Sequence, residues 1–241
     1  MAVSGWSAIV TDVSLLDHQI IPLSLKGSGL SLCNLPEAIQ LLGEGEVLEI
    51  ADIKEFQESA VELFFAQVGI LGIDLSDDEG GLAPGVETWR ARLLNLAPAS
   101  SWKLMNRDPA IPAFMQPGMS AEDFTSALSP KNVNLCPDEL GTLVVSKNHG
   151  TKFSAMENPS PWNWIVTLIE LQTMTGYEGF GNYGTLRMNG GYSYRFKAGV
   201  YDERTASGRW ISDVQKVLKN LDDIYASYPH FDQNGPRKPL A

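Results

Sequence analysis

Ile53, Phe56, Ala60, Val61, Phe64 and Val68 recur at helical spacing, with Glu55, Glu58 and Glu62 set between them. A stripe of this period predicts an amphipathic helix whose apolar face is core. The same kind of pattern returns along the chain. Asn34 and Glu37 form a capping-box pair with Pro36 in the first turn, opening a helix through Ile39 and Leu42 that stops at Gly43. Trp89, Leu93 and Leu96 mark a short helix closed before Pro98. Pro137-Asp-Glu fits another first turn, broken at 146–150. Pro161 opens an apolar helix through Trp164, Ile165, Leu168, Ile169, Leu171 and Gln172, ending before Gly176. Ile211, Val214, Leu218, Leu221 and Tyr225 mark the last one, followed by Pro229.

Strand signals are fewer. Gln19–Leu25 reads as a short strand ending at Lys26-Gly-Ser-Gly29. Residues 76–85 read as an exposed loop. Prolines 109, 112, 117 and 130 make residues 108–130 an extended connector anchored by Ile111, Phe114 and Met115. No internal repeat or composition break calls for two domains. The expected fold is therefore a single mixed α+β domain of helices around short strands, with a flexible tail over about 229–241.

Charge separates the regions more sharply than composition does. Residues 1–141 hold 7 basic and 20 acidic side chains, or −13, whereas residues 142–200 hold 5 and 3, or +2. Residues 201–241 carry 6 of each, so the chain as a whole sits at −11. That balance argues against a general nucleic-acid binder, which needs clustered Lys and Arg. The acidic half reads as a solvated face or as a docking surface for basic neighbours. No apolar run is long enough to span a membrane. The start of the sequence lacks the pattern of a secretory signal. Two cysteines, Cys33 and Cys136, make no disulfide framework, so a cytoplasmic protein is expected.

Catalytic signatures are missing. Two distant cysteines and three scattered histidines (His18, His149, His230) do not supply a zinc site. There is no Gly-x-Ser-x-Gly elbow and no phosphate-binding loop. Gly179-Phe-Gly181-Asn-Tyr-Gly184 fits the letters of a dinucleotide fingerprint, but it follows a helical pattern instead of a strand, and no long helix can follow it. His149 and Glu157 remain as an acid–base pair for an enzyme alternative. The expectation is a protein with no active site, no metal and no cofactor.

The most informative stretch is 176–197, where glycines, aromatics, amides and cations alternate. Glycine lets backbone N–H groups come close to a ligand. Asn182 and Asn189 can donate and accept, and Arg187, Arg195 and Lys197 can meet phosphates. Tyr177, Tyr183, Tyr192 and Tyr194 can stack or simply pack. The plainer reading is a glycine-rich turn system between core strands.

Taken in order, Asn34-Leu-Pro-Glu37, the helix from Phe56 to Gln67, Pro112-Ala-Phe-Met-Gln-Pro117 and Lys147-Asn-His149 resemble the large subunit of the type I-E CRISPR Cascade complex, the CasA family. So do Trp162 through Met174, Gly179–Gly184 and Arg187-Met-Asn-Gly-Gly191. The resemblance covers most of residues 30–225 and is most specific at 179–191. It implies an α/β N-terminal domain followed by a C-terminal four-helix bundle. Because the 241 residues hold no counterpart of that bundle, the whole chain is expected to be the N-terminal domain alone. The resemblance further implies a subunit of an RNA-guided antiviral ribonucleoprotein that recognises the protospacer-adjacent motif in duplex DNA and helps open the duplex. It also implies a docking surface for the helicase-nuclease. The DNA-binding residues carried over are Asn189, Gly190, Gly191 and Tyr192, joined by Arg187, Arg195 and Lys197. Ser146, Lys147, Asn148 and His149 match the loop that contacts the complex near the guide RNA. Expected partners are the other Cascade subunits, guide RNA directly or through that loop, double-stranded target DNA and the helicase-nuclease, with no membrane. The alternative is an acidic assembly module that does not read DNA.

Overall fold

The computed structural model describes residues 13–76, 78, 80–127, 136–137, 158–173 and 203–223. They form a mixed α+β fold of helices and one three-stranded antiparallel sheet. Two compact units share the chain. The first takes the described residues within Met1–Leu15, Asp52–Val61 and Ser100–Ala198; the second takes those within Leu16–Ala51, Glu62–Ala99 and Gly199–Ala241.

The second unit holds the sheet, in the order β2-β1-β3. Strand β1 (Ile21–Leu25) turns into β2 (Gly29–Cys33) through Gly27 and Gly29, both at positive φ, where a side chain is strained. Strand β3 (Val47–Ile50) lies on the other side of β1. Leu23 faces Ile50, and Ser24 faces Glu49, but Leu25 faces Val47, so Leu48 is skipped. That bulge lets Val47 and Ile50, an odd number of residues apart, share the buried face with Leu23.

Helix α1 (Leu35–Glu44) starts where the capping pair predicts. The Glu37 N–H donates to Asn34 Oδ1, and the Asn34 N–H donates to Glu37 Oε2, both at 3.0 Å. Pro36 sits in the first turn, where a missing N–H breaks no helical bond. The expected stop at Gly43 is two residues early. The helix ends at Gly45, whose φ of 82° makes the left-handed cap. Gly43 serves close approach instead: a Cβ there would lie 2.0 Å from the Leu82 carbonyl oxygen.

Helix α2 (Glu55–Asp74) gives its first residues to one unit and the rest, from Glu62, to the other. In the second unit its neighbours are α3 (Val86–Leu96) and α6 (Ala206–Lys219). Gly69 and Gly72 bare the α2 backbone for two indoles. A Cβ on Gly69 would lie 2.6 Å from the Trp210 ring, and one on Gly72 would lie 3.1 Å from Trp89. The two rings meet edge to face at 6.3 Å, and the Trp210 N–H donates to the Phe65 carbonyl at 2.9 Å. Helix α6 begins five residues before Ile211, the first position of its apolar pattern. Its cap is Thr205, whose hydroxyl accepts from the Gly208 N–H at 3.0 Å. Ser207, fully buried, accepts the Val47 N–H at 2.9 Å and so satisfies a donor on the edge of β3.

The loop expected over 76–85 is present, but an arginine pins it. Arg92 is 1% exposed. Its guanidinium lies over the Trp89 ring at 4.5 Å, pairs with Asp78 and donates to the Gly81 carbonyl at 2.9 Å. The bond from Arg92 holds the Asp78 carboxyl well below the usual carboxylate range.

In the first unit, Ala60 and Val61 at the start of α2 are buried as expected. Phe56, expected on the core face, is 37% exposed, with the Lys54 ammonium over its ring at 5.9 Å, and Ile53 precedes the helix. A 3₁₀ turn (Ala99–Trp102) leads into the proline-rich segment, where Trp102 packs on Phe114. The connector expected over 108–130 is interrupted by α4 (Ala121–Ala127), whose Asp123 N–H is capped by the Ser120 hydroxyl. Helix α5 (Pro161–Thr173) follows its predicted span and buries Trp162, Ile165, Val166 and Ile169. Cys33 and Cys136 are both buried, and burial pushes the Cys33 thiol up. Among the described residues, no helix is long and apolar enough to cross a membrane.

Candidate functional site

Every residue singled out as a candidate for function from sequence lies outside the described residues. These are Ser146, Lys147, Asn148 and His149, and Arg187, Asn189, Gly190, Gly191, Tyr192, Arg195 and Lys197. Phe180 and Glu157 lie outside them too. What the structure does describe is the helix that leads into the second group and the loop tied to that helix, both in the first unit.

Helix α5 is fixed at its start by a polar cap. The Ser160 N–H donates to Asn163 Oδ1 at 2.8 Å, and the Asn163 N–H donates back to the Ser160 hydroxyl at 3.3 Å. Asn163 also gives its amide to Asp52 at 3.0 Å. Asp52 has φ of 52°, a conformation that Asp tolerates better than most residues. Midway along the helix, Glu170 is 2% exposed and accepts from the Gln57 amide at 3.0 Å. Near its end, Gln172 donates its amide to the Met115 carbonyl at 2.9 Å.

The loop carrying Met115 solves a problem set by its own sequence. Pro109, Pro112 and Pro117 supply no backbone donor. Carbonyls in such a segment need partners from elsewhere. Side-chain amides provide them. Asn106 donates to the Ser100 carbonyl at 3.1 Å and the Pro112 carbonyl at 2.7 Å. Gln116 donates to Leu104 at 2.8 Å and to Phe114 at 3.2 Å. Ala113 and Gln116 exchange both backbone bonds at 3.0 Å, closing a tight turn. Gly118 passes so near the Ala110 carbonyl oxygen that a Cβ would lie 2.3 Å from it. Phe114 is buried inside the loop, whereas Ile111, expected as an anchor, is 44% exposed.

Met115 occupies the turn with φ of 53°. An L-residue with a long side chain pays about 1–2 kcal/mol for that conformation. Strain of this kind persists only where surrounding contacts over-determine it, as the Gln116 and Gln172 amides do here.

Gln172, Gln116, Asn106, Gln57 and Glu170 were given no role by sequence reasoning. One signal was available: Asn106 and Gln116 stand in a segment whose three prolines supply no N–H to nearby carbonyls. Among the described residues, no group of three or more His, Cys, Asp or Glu side chains is arranged to hold a metal ion. Comparisons with family models, with curated proteins and with solved structures returned no match.

Proposed function

We propose that the chain is a subunit of an RNA-guided CRISPR surveillance complex, resembling the Cascade large subunit, and that it recognises the protospacer-adjacent motif in duplex DNA. What supports this reading is the ordered resemblance of segments from Asn34 to Gly191, sharpest over 179–191, together with the glycine, amide and cation content of 176–197. In such systems base pairing with the guide reads sequence, while protein reads a short motif and the duplex shape. A glycine-rich backbone suits that task, because Gly190 and Gly191 place no side chain between the main chain and a groove edge. Arg187, Arg195 and Lys197 supply the few nearby cations for phosphates.

The chain takes no catalytic step in this scheme. It aids opening of the duplex and docks the helicase-nuclease that cuts, working in the cytoplasm with the other Cascade subunits. By the same resemblance, Ser146, Lys147, Asn148 and His149 form the loop that contacts the complex near the guide RNA. With a net charge of −11, the chain by itself binds DNA weakly, and partner subunits bring most of the positive charge.

Gly190→Asp or Gly191→Asp tests the reading. Either forces a side chain and a negative charge against DNA. The assembled complex is expected to lose target binding in a gel-shift titration and to keep its composition. Unchanged affinity would remove the glycine segment from DNA recognition. The acidic balance of residues 1–141, at −13, favours a second reading in which the chain only assembles and its partners read the DNA. In that case substituting Lys147 and Asn148 disrupts assembly, while Gly190→Asp leaves target binding alone.

A further inference from the structure

The three-stranded sheet has two edges, and the chain treats them differently. On the β3 side, α6 supplies the Ser207 hydroxyl, which accepts the Val47 N–H at 2.9 Å. On the β2 side, no strand pairs with the outer edge among the described residues. Folded proteins usually blunt an open edge with charge, proline or a bulge. Strand β2 reads Gly-Leu-Ser-Leu-Cys and carries none of these.

The hydrogen bonds of β1 reveal which residues of β2 face outward. The Pro22 carbonyl accepts the Ala51 N–H at 2.8 Å, and the Lys26 N–H donates to the Glu46 carbonyl at 2.9 Å. Even-numbered residues of β1 thus turn their backbone toward β3, and Ile21, Leu23 and Leu25 turn theirs toward β2. Their partners are Cys33, Ser31 and Gly29. Leu30 and Leu32 therefore point their N–H and C=O groups away from the sheet. The same two residues are 69% and 53% exposed, and alternation puts both side chains on the face opposite buried Cys33. An open backbone edge and an apolar stripe coincide on two residues.

We propose that β2 is the contact between two copies of this chain, paired antiparallel across a two-fold axis at Ser31. That register is the one that uses both leucines. Leu30 of one copy falls opposite Leu32 of the other, and both such pairs exchange backbone bonds. Directly opposite residues share a face, so the leucines of both copies meet on the outer surface of one continuous sheet.

Charge favours a second copy. A chain at −11 repels its own kind over most of its surface. Residues 27–36 hold no charged side chain, so the open edge is a neutral window. The antiparallel arrangement also brings Lys26, just before the strand in one copy, toward Glu37, just beyond it in the other. The inference stands apart from the DNA-recognition reading and does not rest on it.

Sedimentation of the purified chain tests it, over a concentration series reaching about 100 μM, beyond the micromolar range of weak interfaces. The parent is expected to rise from 26.4 kDa to twice that mass. Leu32→Lys, at an exposed site, is expected to stay at 26.4 kDa throughout and to melt like the dilute parent. Should the lysine disturb folding, Leu32→Thr decides: it is polar but favours strands, and is expected to weaken pairing about tenfold or more. Leu30→Cys and Leu32→Cys chains, mixed and mildly oxidised, test the register. Opposite Cα atoms lie within disulfide reach, whereas like residues sit diagonally, beyond about 7 Å, so each variant alone is expected to cross-link at least about fivefold more slowly.

A parent that remains at 26.4 kDa across the series overturns the proposal. So does a dimer that Leu32→Lys and Leu32→Thr leave intact, since another surface then carries it. Masses beyond the dimer also overturn it, because a two-fold contact closes on itself. Equal cross-linking of the mixed and single cysteine variants removes the pairing at Ser31, and the proposal with it.

Discussion

The two compact units hold their chains in place by different means. In the second unit, sequence-distant elements meet through aromatic rings and charges: Trp89 against Trp210, Arg92 with Asp78, and Arg209 with Glu62. In the first unit, neutral amides reach backbone carbonyls: Asn106, Gln116 and Gln172. The cause lies in the chain. Gly69 and Gly72 open the α2 surface to indoles, so large apolar area can be buried there. Three prolines remove backbone donors from the loop, so amide side chains join its remaining N–H groups in pairing its carbonyls. An aromatic core resists unfolding as a whole. An amide-tied loop can be released one bond at a time.

The comparison can be broken at its strongest point first. Trp210→Ala removes a ring that is 4% exposed and hydrogen-bonded to Phe65, and is expected to cost about 3–5 kcal/mol in urea unfolding. A loss below about 1 kcal/mol, within the range of surface substitutions, would mean that the indole pair is not what holds the second unit.

Arg92→Met comes next. The side chain is buried but Asp78 keeps contact with water, so the loss is expected near 2–3 kcal/mol, the scale of hydrogen bonds to a charged group. The pair also has a pH signature. Asp78 is held below its ordinary range in the folded chain. Its contribution is thus complete above about pH 4 and fades as pH falls further toward the folded value. Arg92→Met should flatten that part of the stability profile. An unchanged acid limb would detach Asp78 from the clamp.

Gln116→Ala sharpens the other side. It frees the Leu104 and Phe114 carbonyls, which are partly buried, and is expected to cost about 1–2 kcal/mol. The loop around Met115 should then exchange its amide hydrogens faster, with protection in β1 and α6 unchanged. A loss equal to that of Trp210→Ala would erase the distinction between the units.

Sequence made the local features legible and the long-range ones illegible, for a physical reason. The Asn34–Glu37 cap, the Pro161 start and the α2 stripe are contacts between residues three or four apart, so their pattern is written in order. Gly43 and Gly45 look alike in a string; only the nearness of Leu82 reveals that the first serves packing and the second ends the helix. The seven residues of α4 were hidden by flanking prolines, although Ser120 and Asp123 carried a capping signal. Nothing local announces that Arg92 is buried, because its partner sits fourteen residues back and its ring neighbour, Trp89, was read only as a marker of a short helix. The candidate DNA-reading residues rest on composition and resemblance, and they lie outside the described residues. The Gln172 bond to Met115 depends on a turn conformation that no spacing rule encodes.

Membership of a guide-RNA particle is the claim on which the functional account turns, and co-purification measures it directly. The tagged chain is expressed with the backbone subunits and guide RNA of a type I-E system, then taken through affinity capture and size exclusion. The account predicts that guide RNA and the backbone subunits elute with the chain in one stoichiometric peak. A chain that elutes alone, with RNA and the other subunits assembled without it, would contradict the account.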